Sequence, residues 1–298
     1  MKHETKEERK NAIGIAFSGG GLQGVAEIGA IEALNELGIR PRYVSGTSFG
    51  SSIAALMAMG CTPDEMKEFM ETRIGKIADF RVSRLLKELA SLKLRGDRDG
   101  IKDSRMISDA IKEMMDKKGI RDFHDLPINL SVCTNDTLSM KECIFTTYDE
   151  GLADDNLCYL TDAPLETAVR ASMSFPGLYT SCDYKGYNFV DGGSKDNLPV
   201  RILRDMGVGR VLGITFDISG YTPEKGFDGM LKVAFRALDL YSVDGTKRSE
   251  KMADYCVEIK NSDAAIFSMS SLDKTIREGY DCVMAHKDNL LRIFVDNM

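Results

Sequence analysis

The chain has 298 residues, 43% hydrophobic and 29% charged, the balance of a folded globular protein and not of a disordered one. Its net charge of −7 argues against a general nucleic-acid binder. No apolar run reaches the roughly 18–20 residues that span a bilayer, and the polar start MKHETKEERK carries no signal-peptide core.

In chain order, residues 1–10 read as a polar, solvated tail, and residues 11–298 as one domain. Residues 11–17 (NAIGIAF) form a short apolar run that stops at Ser18 and three glycines, the pattern of a buried strand entering a sharp turn. From Leu22 to Leu37 apolar residues recur every three to four positions, which predicts a helix stopped by Gly38. A second strand, 42–45, runs into Gly46-Thr47-Ser48-Phe49-Gly50, followed by SSIAALMAM, apolar nearly all round as a buried helix is. Thr62-Pro63-Asp64-Glu65 carries the capping-box signature of a further helix.

Residues 64–120 read as a helical insertion over one sheet edge, broken by a polar stretch at 95–100. Strands are expected at 127–133, 142–147, 187–190 and 210–216, and helices at 162–172, 227–252 and 270–294. Strands alternating with helices predict an α/β layered sheet.

Seven cysteines, an odd number without a CxxC pair, and three scattered histidines predict neither a disulfide framework nor a metal site. They fit a cytoplasmic, reducing setting.

The turn Gly19-Gly20-Gly21-Leu22-Gln23-Gly24 admits three readings. As GxGxxG after a strand it matches a dinucleotide site, but the next strand ends in Gly46-Thr47-Ser48 and lacks the acidic ribose ligand. It could be a tight turn without a ligand. It could also be an anion cradle, because N–H groups at a helix N-terminus point outward and hold an oxyanion.

The stretch 46–50 fits GxSxG, in which the serine sits on a strained strand-to-helix turn so that its Oγ projects. The plainer reading is an ordinary strand–helix turn. A serine needs a base. His124 lies in a polar turn and His286 among helical surface residues, so a carboxylate is the better expectation. Asp191 ends an apolar strand and precedes Gly192-Gly193, although Asp-Gly-Gly taken alone is also a common turn.

The ordered set FSGGGLQG, GTSFG, ASMSFPGLY and DGG resembles the patatin-like phospholipases, from about residue 13 to 216. The resemblance implies a three-layer α/β/α fold and hydrolysis of fatty-acyl esters of lipids or phospholipids by a Ser–Asp dyad without histidine. It implies Ser48 as nucleophile, Asp191 as its base, and Gly19, Gly20, Gly21 and Gly24 as the oxyanion-hole turn. Ala171-Ser172 and Pro176 match a loop near the site. Gln23 departs from the basic residue usual in that turn. No cofactor or metal is implied. An esterase for small soluble esters would use the same pair of residues.

Residues 81–102 carry seven Lys and Arg against three Asp and Glu, with Leu85, Leu86, Leu89 and Leu92 at helical spacing. That pattern admits peripheral contact with an anionic membrane. The plainer reading is a solvated helix whose leucines cover the domain.

Overall fold

The computed structural model describes residues 4–74, 99–147, 152, 154–217, 230–260 and 272–296. Its centre is a sheet with strand order β11-β10-β1-β2-β4-β5-β6, comprising β1 (Ile13–Phe17), β2 (Tyr43–Thr47), β4 (Asn129–Asp136), β5 (Glu142–Thr146), β6 (Leu157–Leu160), β10 (Arg210–Phe216) and β11 (Tyr255–Ile259). β11, β10, β1, β2 and β4 all run parallel. β5 turns back antiparallel to β4 through a hairpin, and β6 runs parallel to β5. Two further strands, β8 (Cys182–Tyr184) and β9 (Tyr187–Asp191), form an antiparallel hairpin joined to β4 through β9. Every residue of β1 and β2 is buried, as parallel strands covered on both faces must be.

Alternating side chains of the central strands feed two cores. Ile13, Ile15 and Phe17 join a large cluster with α2 (Ala26–Glu36), α3 (Phe49–Ala58), α5 (Arg105–Lys118) and α6 (Leu165–Ser172). Ala12 and Ala16 face a smaller cluster built with α7 (Val200–Asp205). The fold is therefore helix–sheet–helix in three layers. α3 is buried at every position, which its small residues Ser51, Ser52, Ala54 and Ala55 permit. Each Leu or Ile buried there stabilises the fold by about 1.5–3 kcal/mol. α9 (Leu272–Ala285) packs on α2 at a close crossing, where a side chain on Gly29 would strike the Ile276 carbonyl and one on Gly279 the Ala26 carbonyl.

The polar start is part of this fold. Residues Lys6–Lys10 form a short helix, α1, capped by a Thr5–Glu8 capping box. Glu4 pairs with Arg42 and accepts a hydrogen bond from the Tyr43 hydroxyl at 2.5 Å, while the Arg9 carbonyl accepts from the Gly209 N–H.

In the expected insertion, α4 (Pro63–Phe69) starts at the capping box read from sequence and runs into a π-helical turn, Met70–Ile74. A strand, β3 (Gly100–Lys102), begins at the last residue of the polar break and pairs with β7 (Gly177–Tyr179). Most of the basic stretch 81–102 lies outside the described residues. The expected helix 270–294 is two helices, α9 and α10 (Lys287–Phe294), interrupted at His286, and α8 spans Met230–Met252. Among the described residues, no helix is long and apolar enough to cross a membrane.

Candidate active site

The sheet brings Ser48 and Asp191 together through one shared strand. β2 pairs with the first part of β4 and β9 with the last part, on the same edge. β2 runs parallel to β4 and β9 antiparallel, so their C-terminal ends converge. Thr47 pairs with Cys133 and Asp191 with Thr134, consecutive rungs of β4.

Ser48 sits between β2 and α3 with φ 53 and ψ −128, a region L-residues rarely occupy. Holding it there costs roughly 1–3 kcal/mol, which the surroundings must offset. Two close approaches explain the flanking glycines. A side chain on Gly46 would lie 2.4 Å from the Gly50 carbonyl oxygen, and one on Gly50 would lie 2.5 Å from that of Ser18. The Ser48 N–H donates to Ser172 Oγ at 2.8 Å, and that hydroxyl donates to the Cys133 carbonyl at 2.7 Å. Ser172 thus ties the strained turn to β4. The Ser48 residue remains partly exposed.

Asp191 is buried. Its Oδ1 accepts the Gly193 N–H at 2.8 Å, and its Oδ2 is buried and accepts no hydrogen bond of ordinary geometry. Its backbone is fixed by a bond from its N–H to the Ser174 carbonyl and another from Asn135 Nδ2 to its own carbonyl. Burial pushes its pKa up to about 6, against the lowering influence of the Ser48 hydroxyl and the Gly193 N–H.

The glycine turn lies against the same corner. A side chain on Gly19 would fall 3.1 Å from Ser48 Cβ. The Gly19 N–H, which the sequence reading aims at an oxyanion, instead donates to the Asn197 carbonyl at 3.0 Å, and Asn197 Nδ2 donates back to the Gly19 carbonyl at 3.2 Å. Gly20 and Gly21 make no such bond with their N–H groups among the described contacts. Gly24 lies within the short 3-10 turn Gly21–Val25, where any side chain would strike the Phe49 ring; its smallness serves packing. Gln23 is buried in that turn, where a charged side chain would have to shed its water. Nothing local in the sequence marks Asn197, six residues after Asp191.

The histidines lie elsewhere. His124 is exposed on the turn Phe123–Asp125. His286 Nδ1 lies 2.8 Å from the Tyr255 hydroxyl. Pro176 is exposed.

Among the described residues, Cys133, Glu142 and Asp196 form the one cluster with metal-type ligand atoms close together, within 4.8 Å. Arg201 already supplies positive charge there, 2.6 Å from Glu142 and 3.7 Å from Asp196. The corner brings together a partly exposed serine, a buried carboxyl and a glycine turn in which the Gly20 and Gly21 N–H groups donate no backbone hydrogen bond among the described contacts.

The sequence signature described as Patatin-like phospholipase matches residues 15–204. An uncharacterized Bacillus subtilis protein, YqhO, is 34% identical over 210 residues, covering 67% of this chain and 69% of that protein. A putative patatin-like phospholipase domain-containing protein of Caenorhabditis elegans, M110.7, is 27% identical over 97% of this chain, which spans only 26% of that longer protein. Among solved structures, VipD from Legionella pneumophila aligns with a TM-score of 0.48 at 14% identity, over 94% of this chain and 67% of that one.

Proposed function

The chain belongs to the patatin-like phospholipase family, and from that premise we propose that it is a lipid acyl hydrolase acting through Ser48 and Asp191. The observation that carries this reading is the convergence of two strand ends on consecutive rungs of β4. It puts a strained, partly exposed serine beside a carboxyl whose pKa burial raises to about 6.

Asp191 accepts the Ser48 proton as Oγ attacks the ester carbonyl. The tetrahedral oxyanion is held by the N–H groups of Gly20 and Gly21, with the N-terminal dipole of α3 adding positive potential. Asp191 returns the proton to the departing alcohol, leaving an acyl-enzyme on Ser48. Water then attacks that ester, giving its proton to Asp191, and the fatty acid leaves as Ser48 Oγ regains a proton. A carboxylate with pKa near 6 is mostly ionised at pH 7 and is a better base than an unperturbed aspartate. Gly19 acts at one remove: Asn197 clamps it on both backbone faces, fixing where Gly20 and Gly21 point.

The test is labelling with a fluorophosphonate, mapped by peptide mass to Ser48, followed by hydrolysis across an acyl-chain-length series. Activity that peaks with long acyl chains supports a lipid substrate. A peak at short soluble esters would make the protein a small-ester esterase. No labelling of Ser48 would remove the reading.

A further inference from the structure

We propose that the tip of the β4–β5 hairpin is a rigid apolar prong that inserts into a lipid bilayer and seats the catalytic end of the sheet on it. The proposal rests on the acyl-hydrolase reading for its choice of partner. Its structural basis is separate.

Leu138 and Met140 are 69% and 72% exposed, among the most exposed large hydrophobic side chains of the described residues, and they stand two positions apart on one turn. The turn is fastened down. The Asp136 carboxylate accepts from the Ser139 N–H at 2.8 Å, the Ser139 hydroxyl at 2.6 Å and the Asn188 N–H at 2.9 Å. The Thr137 N–H donates to the Asn188 carbonyl, and Lys195 Nζ donates to the Met140 carbonyl at 2.5 Å. Met140 has φ 60, where Gly or Asn would fit with less strain. A backbone held this firmly, with an apolar side chain at a position suited to glycine, is built to present that side chain.

The prong also lies at the right end. β2 delivers Ser48 at the level of Cys133, and β4 continues in the same direction through Asp136 to the tip. The three steps from Cys133 to Asp136 at ~3.3 Å each put the start of the turn roughly 10 Å beyond that level. Lys141 and Lys195 are exposed beside it, and neither makes a salt bridge among the described residues. Two side chains are enough for shallow insertion, but fall well short of the ~800 Å² per partner of a stable protein interface. The occupant favoured is therefore a bilayer, with anionic headgroups near the lysines.

The chain has no tryptophan, so Leu138→Trp installs a single fluorescent reporter. Its emission shifts to the blue on adding phosphatidylcholine vesicles containing phosphatidylglycerol; an unshifted spectrum overturns the proposal. In the Ser48→Ala protein, which leaves vesicles intact, Leu138→Asp with Met140→Asp lowers vesicle partitioning by about tenfold or more. Each of Lys141→Gln and Lys195→Gln lowers it by about fivefold on anionic vesicles at low salt and by less at high salt. With Ser48 restored, the Asp pair leaves the turnover of a short-chain nitrophenyl ester and the thermal midpoint unchanged. The milder Leu138→Ser with Met140→Ser gives the same pattern with a smaller loss. Retained vesicle binding overturns the proposal. A changed oligomeric mass with binding retained makes the tip a contact between copies, and also overturns it. Partitioning of the Ser48→Ala protein needs no catalysis, so a wild type inert toward every ester would defeat the acyl-hydrolase reading and leave the vesicle result standing.

Discussion

Replacing Asp191 with Asn should abolish ester hydrolysis and remove a loss of stability that the wild type suffers as pH rises. The buried carboxyl has its pKa raised from 3.8 to about 6 in the native state. The folded protein therefore favours the protonated acid. Stability from this group is fully present below pH ~4 and is lost as pH rises through ~6. The loss is the shift of about two pKa units converted at 1.36 kcal/mol each, about 3 kcal/mol. Asn cannot ionise and escapes that loss. Its unpaired amide nitrogen adds an offset of about 1–3 kcal/mol, but one that does not depend on pH. Glu27 and Asp196, whose pKa values burial also raises, are common to both proteins and cancel in the difference. Thermal unfolding of both proteins should therefore give midpoints whose difference moves in favour of Asp191→Asn by roughly 6 °C between pH 4 and pH 8. In the wild type, kcat/KM for a short ester should rise with pH and level off above ~6. A difference in midpoint that is the same at every pH would refute the claim that Asp191 is an ionisable carboxyl withdrawn from water. A wild-type rate flat from pH 5 to 8 would refute its role as base.

Ser48→Ala should remove ester turnover and fluorophosphonate labelling while circular dichroism stays unchanged; full labelling of the variant would put the nucleophile elsewhere. Gly20→Ala should cost ~10²–10³ in kcat with a smaller change in KM, because its new methyl would lie 2.7 Å from the Phe216 ring and force the turn to shift. A raised KM with kcat intact would show that the turn only binds substrate. His286→Ala and His124→Ala should keep most activity, since one ring bonds Tyr255 and the other is exposed on a distant turn; an inactive but folded His286→Ala protein would favour a histidine-based triad.

The parts of this site that depend on neighbouring residues were readable from sequence. The apolar run 11–17, the GxSxG turn and the buried helix after it fall where strand β1, Ser48 and α3 stand. Parts that depend on partners far along the chain were not. β7 and β8 have three residues each, too few to show an alternation, and exist because β3 and β9 pair with them. β11, with sequence YCVEI, mixes apolar and charged residues as an edge strand does and carries no strand signal that stands out from the helices around it. α1 owes its place to a capping box and to Glu4 binding residues almost forty positions away. Asn197 carries no local signal, because its role is to bond Gly19 across the sheet. The Gly19 N–H likewise finds its acceptor, the Asn197 carbonyl, in a remote segment.

The direction of β9 determines how the two groups can meet. A parallel strand on that edge of β4 would bring its N-terminal end towards the end of β2, and a residue leaving its C-terminus would be carried away from Ser48. Running antiparallel, β9 stops head-on at β2, one rung beyond it, and Gly192 lets the chain turn aside; a side chain there would lie 2.4 Å from the Cys133 carbonyl oxygen. The Asp191 carboxyl is then buried beside the end of β2 and withdrawn from water. That exclusion raises the pKa of Asp191 and makes it costly when ionised. The same strand that completes the site thus creates the pH-dependent weakness that Asp191→Asn should remove.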